Sequence, residues 1–287
     1  MTPFTRAAEI GAARANGDYR WRPVPIVWFS VLLHLAAAAA AAMQPTFWPW
    51  ALATVAANHL LLTLAMLWPR GQLLGPNVVR LPAAAIARRE VSLTFDDGPD
   101  AEITPRVLDL LDRHRAKASF FCVGEKLAAH PQIAREIVRR GHSIENHSLH
   151  HSHAFALYGY FRMAREVAAA QAIVASVAGR APLFFRAPMG LRSPLLDPAL
   201  ARCGLRCVSW TRRGLDTLDG NPQRVLQRLA GALQAGDILL LHDGGCARTP
   251  DDRPVMLVVL PMLLERLAAA GLTSVPLPAA LGDGPAP

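Results

Sequence analysis

The chain has 287 residues, 52% of them hydrophobic, and a formal net charge of +8 from 30 Lys and Arg against 22 Asp and Glu. Its four cysteines (Cys122, Cys203, Cys207, Cys246) form no CxxC pair and no dense framework, so buried free thiols are expected rather than a disulfide scaffold. No basic-aromatic stripe or recognition-helix pattern accompanies the positive charge, which argues against a nucleic-acid partner and leaves an anionic membrane surface as the better match.

In chain order, residues 1–22 are polar, with Arg6, Arg14, Arg20 and Arg22, and show no clear fold. No Asp, Glu, Lys or Arg then occurs until Arg70. Residues 23–43 and 47–68 are each long enough to cross a bilayer as a helix, and Gln44-Pro45-Thr46 breaks the run between them. Trp48, Trp50 and Trp68 lie near the ends of the second span, where interfacial aromatics belong. Together the spans predict a transmembrane hairpin over 23–69. A cleaved signal peptide is the rival for the first span, but its length exceeds a usual apolar region and no persuasive cleavage site follows. His34 and His59 are expected to be packed or interfacial. Arginines precede and follow the hairpin and are missing from its turn. The positive-inside rule therefore places both termini in the cytoplasm and the protein in a bacterial-type inner membrane.

Residues 70–89 resemble a linker, broken by Gly75-Pro76-Asn77 and Pro82. Strands are then predicted near 91–95, 118–123, 142–146, 183–186, 206–210, 237–241 and 272–275. Helices are predicted near 104–115, 125–140, 160–178, 195–203, 222–235 and 255–270. Thr104 before Pro105 reads as a helix cap, and Gly141 and Gly271 as helix stops. This alternation implies parallel strands with helical crossovers. About seven such units in residues 90–277 suit an α/β fold, a distorted (β/α) barrel of about seven strands behind the two-helix hairpin. Chemistry then belongs at the C-terminal strand ends. The tail over 278–287 is expected to be flexible.

Those strand ends carry an unusual set of side chains. The first strand ends in Asp96-Asp97 before a Gly98-Pro99 turn. The third runs into Asn146-His147-Ser148-Leu149-His150-His151, the fourth into Arg186-Ala187-Pro188-Met189-Gly190, and the sixth into Leu241-His242-Asp243-Gly244. Two adjacent carboxylates do not both ionise cheaply without a cation or a shared proton. His147 and His151 with one carboxylate supply two nitrogens and one oxygen to a divalent metal and leave a position open for water. His150 and His153 are near enough to be rival ligands, so spacing alone leaves the choice open.

In this order, TFDDGPD, GHSIENHSLHH, FFRAPMG and ILLLHDG resemble the polysaccharide deacetylases of carbohydrate esterase family 4, over roughly residues 91–276. The resemblance implies a metal-dependent hydrolase that removes acyl groups from N-acylated sugars. It assigns Asp96 as general base and Asp97, His147 and His151 as metal ligands. Arg186 would tune the base and His242 act as general acid. Pro188, Gly190, Trp210, Arg213 and Asp216 fall on its substrate side. Asp243 is either the residue that orients His242 or a plain turn residue. One motif departs. Where the family has Asp-x-x-Asp-Trp, this chain has Arg213, Asp216 and Thr217. The usual tether of Arg186 and the usual sugar-stacking Trp are therefore missing, and Arg212 or Arg213 is expected to meet a negative group on the substrate.

The aromatic stretch 154–161 is read as a core-packed loop or as a grip on a lipid or membrane. The expected activity is N-deacylation, most simply deacetylation, of an amino sugar that is lipid-linked because the hairpin holds the site near a bilayer. The metal is expected to be Zn2+, with Co2+, Ni2+ or Mn2+ as alternatives. A second enzyme reading places the site outside the membrane on peptidoglycan or exopolysaccharide. A membrane-tethered carbohydrate-binding pseudoenzyme is the reading from another class, and the intact set of six side chains argues against it.

Overall fold

A computed structural model describes residues 21–282. The polar segment with Arg6, Arg14 and Arg20, and residues 283–287 of the expected tail, lie outside the described residues.

Two helices, Pro25–Met43 and Trp48–Met66, are joined through a single turn of 3₁₀ helix, Pro45–Phe47. Nineteen residues at about 1.5 Å each span roughly 28 Å, close to the hydrocarbon thickness of a bilayer. Both are long and apolar enough to cross a membrane. Their outer faces are bare, with Leu32, Leu35, Leu60 and Leu64 all exposed. Four polar side chains within the spans pair across the hairpin: Asn58 Nδ2 donates to Ser30 Oγ at 2.8 Å, and the Nε2 atoms of His34 and His59 lie 3.3 Å apart. This internal pairing is what an apolar surround demands of polar groups.

The rest is an α/β unit built on a curled half-barrel of seven parallel strands. The strands are β1 (Glu90–Asp96), β2 (Ala118–Cys122), β3 (Ser143–Asn146), β4 (Phe184–Phe185), β5 (Arg206–Cys207), β6 (Arg212–Arg213) and β7 (Ile238–His242). Their order is β5-β4-β3-β2-β1-β7-β6, and a short β8 (Thr273–Ser274) pairs the start of β1. Residues on alternate sides of each strand enter different cores. Val91, Leu93 and Phe95 of β1 join Phe120, Leu239 and Leu241 beneath the outer helices, in a core shared with Leu260 and Leu263 of helix Val255–Ala269. The other face points into the barrel, where Phe121, Phe184, Val208, Ile238 and Leu240 pack with Leu81, Ala85 and Leu277.

Four local expectations change. The strand predicted over 206–210 shortens to the two-residue β5 beside β4, and a second short strand, β6, follows at the opposite edge of the sheet beside β7. Residues 208–211 carry the chain between these edges. The segment over 70–89 packs against the barrel: Val78 pairs with Val208, Leu81 N–H donates to the Gly236 carbonyl at 2.9 Å, and a short helix, Ala83–Ala87, buries Ala85. The helix predicted over 125–140 is two, Gly124–Ala129 and Pro131–Arg139, because proline at 131 cannot continue the hydrogen-bond ladder. The tail begins with a helix, Leu277–Leu281, whose Leu277 is fully buried.

The helix expected to be capped by Thr104 is Ile103–Arg113, and Asp100 holds its start. Asp100 Oδ1 accepts from the Ile103 and Glu102 N–H groups at 2.8 and 2.9 Å. Gly141 and Gly271 have φ of 79° and 62°, the left-handed geometry that ends a helix.

Candidate active site

The alternation of β1 that sends Leu93 and Phe95 outward sends Ser92, Thr94 and Asp96 inward. Asp96 is the register partner of His242 on β7 and of Phe121 on β2, and Asn146 that of Phe185. Asp96, His147, Arg186 and His242 are thereby gathered at adjoining C-terminal strand ends.

Arg186 is the largest fully buried side chain among the described residues. Its Nη1 donates to Asp96 Oδ1 at 2.6 Å and to Thr94 Oγ1 at 2.9 Å. Its Nη2 and Nε donate to the Ser209 and Val208 carbonyls at 2.9 and 3.3 Å, and its guanidinium lies 4.1 Å from the centre of the Phe121 ring. Main-chain carbonyls of the crossing segment thus hold Arg186 without a carboxylate at position 213. Thr94 was not singled out in the sequence. Its place two residues before Asp96 on the same strand face is the signal that finds it.

Asp97 has φ of 70°, in the left-handed region, which turns its carboxylate toward the histidines. Its Oδ1 lies 3.2 Å from His147 Nε2 and 3.0 Å from His151 Nε2. One donor atom from each of the three falls within 4.8 Å of the others. That Oδ1 is buried with no hydrogen-bond partner, while His147 Nδ1 is engaged by the Arg186 carbonyl at 2.8 Å, which leaves Nε2 for the cluster. Two imidazole nitrogens and a carboxylate oxygen around one point are the donor set of a catalytic divalent metal. The electrostatics agree: burial works to raise the Asp97 carboxyl, yet the adjoining His147, with the His151 charge beside it, holds it well below the usual range. Burial opposes the His147 imidazolium, and the Asp96 charge together with the adjoining Asp97 outweighs it and raises the group. The site attracts positive charge. His150 stands aside, its Nδ1 2.9 Å from Glu166 Oε1, and His153 is exposed; neither belongs to the three-residue cluster.

His242 is oriented by Asp216, not by Asp243. Asp216 Oδ1 lies 2.9 Å from His242 Nδ1, and Oδ2 accepts the His242 backbone N–H at 2.8 Å. Burial opposes the His242 imidazolium, but the Asp216 hydrogen bond and charge outweigh it and raise the group. Asp216, expected on the substrate side, is fully buried and does not line the cleft. Asp243 turns away, its Oδ2 accepting from Thr104 Oγ1 at 2.6 Å.

These groups share a cleft of about 420 Å³. Its walls include Gly190, Trp210 and Arg213 together with Lys126, Met189 and Leu218, while Pro188 is buried behind them. Lys126, another residue not singled out, donates from Nζ to the Asp97 carbonyl at 2.7 Å. Arg212 is removed from any substrate role: its Nε donates to Asp237 Oδ2 at 2.7 Å and its Nη2 to the Ala232 carbonyl. The aromatic stretch divides, with Phe155 and Tyr158 in the core and Leu157 and Phe161 exposed.

The segment just beyond the second apolar helix packs against this wall. A Cβ at Gly190 would stand 2.6 Å from Trp210 and 3.1 Å from Pro69. Arg192 Nη1 donates to the Gly71 carbonyl at 3.1 Å, and Arg70 Nη1 to the Thr211 carbonyl at 3.3 Å.

Comparison with known proteins places this geometry in context. A profile described as polysaccharide deacetylase matches residues 84–208. The chain is 34% identical over 156 residues to a chitooligosaccharide deacetylase of Bradyrhizobium, covering 54% of this chain and 71% of that one. It is 29% identical over 183 residues to a peptidoglycan-N-acetylglucosamine deacetylase of Bacillus cereus, covering 63% and 83%. Among solved structures it resembles a peptidoglycan N-acetylglucosamine deacetylase, with TM-score 0.65, 27% identity and coverage of 74% of this chain and 95% of that one.

Proposed function

Because this chain belongs to the polysaccharide deacetylase family, whose members are metal-dependent N-deacetylating hydrolases, we propose that its substrate is an N-acetylated amino sugar carried on a lipid at a membrane surface. The observation that carries this reading is the place of Pro69, three residues beyond an apolar helix long enough to cross a bilayer and close against Gly190 in the wall of the cleft. A sugar whose anchor lies in the same bilayer meets the cleft without leaving the membrane surface.

Asp97 Oδ1 with the Nε2 atoms of His147 and His151 would hold the ion. Zn2+ suits that set, and Co2+, Ni2+ or Mn2+ are accommodated by the same donors. A divalent ion bound there supplies Lewis-acid polarisation of the acyl oxygen and acidifies the attacking water. Asp96 would take the attacking water's proton on Oδ2, since Arg186 occupies Oδ1. His242, with Nδ1 engaged by Asp216, presents Nε2 and gives its proton to the departing amine as the C–N bond breaks. The products are the free amino sugar and the carboxylic acid.

The arginines flanking the hairpin favour a barrel on the cytoplasmic side. The likeness to a peptidoglycan-N-acetylglucosamine deacetylase favours the opposite side, and a reporter fused after residue 282 separates the two: alkaline phosphatase activity there means an extracytoplasmic barrel. The substrate is tested with full-length protein in detergent, with and without chelator. Acetate release is compared between N-acetylglucosamine oligomers and a polyprenyl-phosphate-linked N-acetyl amino sugar. Chelator-sensitive activity that favours the lipid-linked substrate is expected. Activity confined to the free oligomers would replace the lipid-linked reading with a polysaccharide one.

A further inference from the structure

Among the described residues the Arg213 side chain has no hydrogen-bond or ion-pair partner, while four arginines around it are each held by a carboxylate. Arg186 is held by Asp96, Arg192 by Asp197, Arg212 by Asp237 and Arg228 by Asp219. The Arg213 Nε is buried without an acceptor, and its guanidinium rests 5.6 Å from the centre of the Trp210 ring. Main-chain pairing fixes its place: Arg213 is the register partner of Leu240, two residues before His242 on the inward face of β7. It thus lines the cleft beside the His242 side of the cluster.

A buried guanidinium donor without an acceptor is costly, and folded proteins seldom keep one. A planar fork of N–H groups pinned against an aromatic ring is suited to a tetrahedral oxyanion, which it meets with two parallel hydrogen bonds. Also lining the cleft are two apolar side chains, Met189 at 50% exposure and Leu218 at 79%, which offer nothing polar to a ligand. One unpaired cation beside an apolar lip matches a phosphate group with a hydrocarbon attached. We propose that Arg213 forms a phosphate subsite that recognises the phosphate joined to the amino sugar. The inference rests on the lipid-linked reading of the substrate and assigns Arg213 no part in breaking the amide bond; it is a specificity-determining residue.

The test is equilibrium binding to the full-length, metal-loaded protein in detergent, so that turnover is not needed. The ligands are prenyl-phospho-N-acetylglucosamine, a neutral alkyl N-acetylglucosaminide of matched chain length, N-acetylglucosamine 1-phosphate and methyl N-acetylglucosaminide. The wild-type protein is expected to bind each phosphorylated ligand about tenfold or more tightly than its neutral counterpart. In Arg213→Gln the ratio should fall to about one, and in Arg213→Lys to an intermediate value, because lysine keeps the charge without the fork. The lipid and free-phosphate pairs separate the two sources of phosphate. A ratio near one for both wild-type pairs, or a high ratio that survives Arg213→Gln, overturns the inference. Should Arg213→Gln fail to fold, Arg213→Lys and a steep loss of the wild-type ratio with added salt decide the matter. Acetate release from neutral oligomers, run alongside, reports on the deacetylase reading separately.

Discussion

Asp216 grips His242 with both carboxylate oxygens, one on the ring Nδ1 at 2.9 Å and one on the backbone N–H at 2.8 Å. The ring is thereby fixed with Nε2 toward the cleft, and its charged form is stabilised against burial, with Asp96 and Asp97 adding to the effect. Replacing Asp216 by Asn keeps an acceptor but removes the charge. The imidazolium then loses its proton at a lower pH. If His242 is the acid, the alkaline limb of kcat should move to lower pH in Asp216→Asn and kcat at neutral pH should fall by about 10²-fold or more. The measurement is a kcat–pH profile of both proteins. An unmoved limb would remove His242 from the acid role.

Metal content separates the cluster from its neighbours in sequence. Elemental analysis of the purified protein should find one divalent ion per chain. That ion should be lost in His147→Ala and His151→Ala and retained in His150→Ala, whose ring is engaged by Glu166. Chelation should abolish acetate release, and added Zn2+ or Co2+ should restore it. Loss of metal from His150→Ala with retention in His151→Ala would reassign the second histidine.

Much of this was legible in the chain because period-two alternation and apolar runs are local signals. Val91, Leu93 and Phe95 announce a strand, and Asp96 follows in register on its polar face. The two apolar helices announce themselves by the lack of charge between Arg22 and Arg70. What was not legible depends on contacts distant in sequence. Residues 206–213 look like one strand followed by a loop, and only pairing with β4 on one side and β7 on the other divides them. Asp243 is the neighbour of His242 in sequence, but Asp216 is its neighbour in space, 26 residues away. The segment over 70–89 has the glycines and prolines of a linker, yet Val78 pairs with Val208 just beyond the edge strand β5 and Leu81 bonds Gly236 ahead of β7. The tether of Arg186 by the carbonyls of Val208 and Ser209 has no side-chain signature at all.

Gly190 leaves room for both Trp210 and Pro69 to pack close against its backbone. Its φ of 74° disfavours any Cβ, and an added methyl would stand 2.6 Å from Trp210 and 3.1 Å from Pro69. Gly190→Ala should destabilise the protein by about 1–3 kcal/mol. Because Trp210 backs both Arg186 and Arg213, the same change should raise KM more than it lowers kcat. Thermal unfolding of the full-length protein in detergent, with initial-rate kinetics, checks both. An unchanged Tm would mean that Pro69 does not pack on the cleft wall, and the membrane-proximal reading of the site would lose its support.

Asp243 sets a pH dependence of stability whose sign is opposite to that of most carboxylates. It is fully buried, its Oδ2 accepts from Thr104, and its Oδ1 has no partner. Burial pushes its carboxyl from 3.8 up to about 7; the Thr104 hydrogen bond works against the rise, and the Asp97 charge adds to it. Between about pH 4 and pH 7 the folded protein therefore holds a proton at this site that the unfolded chain has released. The unfolded state binds fewer protons, so stability falls as pH rises across that window. Asn at 243 has no proton to lose and keeps the shape. The stability difference between wild type and Asp243→Asn should accordingly favour the wild type most near pH 5 and shift toward the variant by pH 8. Glu145, raised by burial to about 7, contributes with the same sign to both proteins and cancels. Tm measured from pH 5 to pH 8 gives the result directly, and a difference that stays constant would mean that Asp243 is already ionised at pH 5.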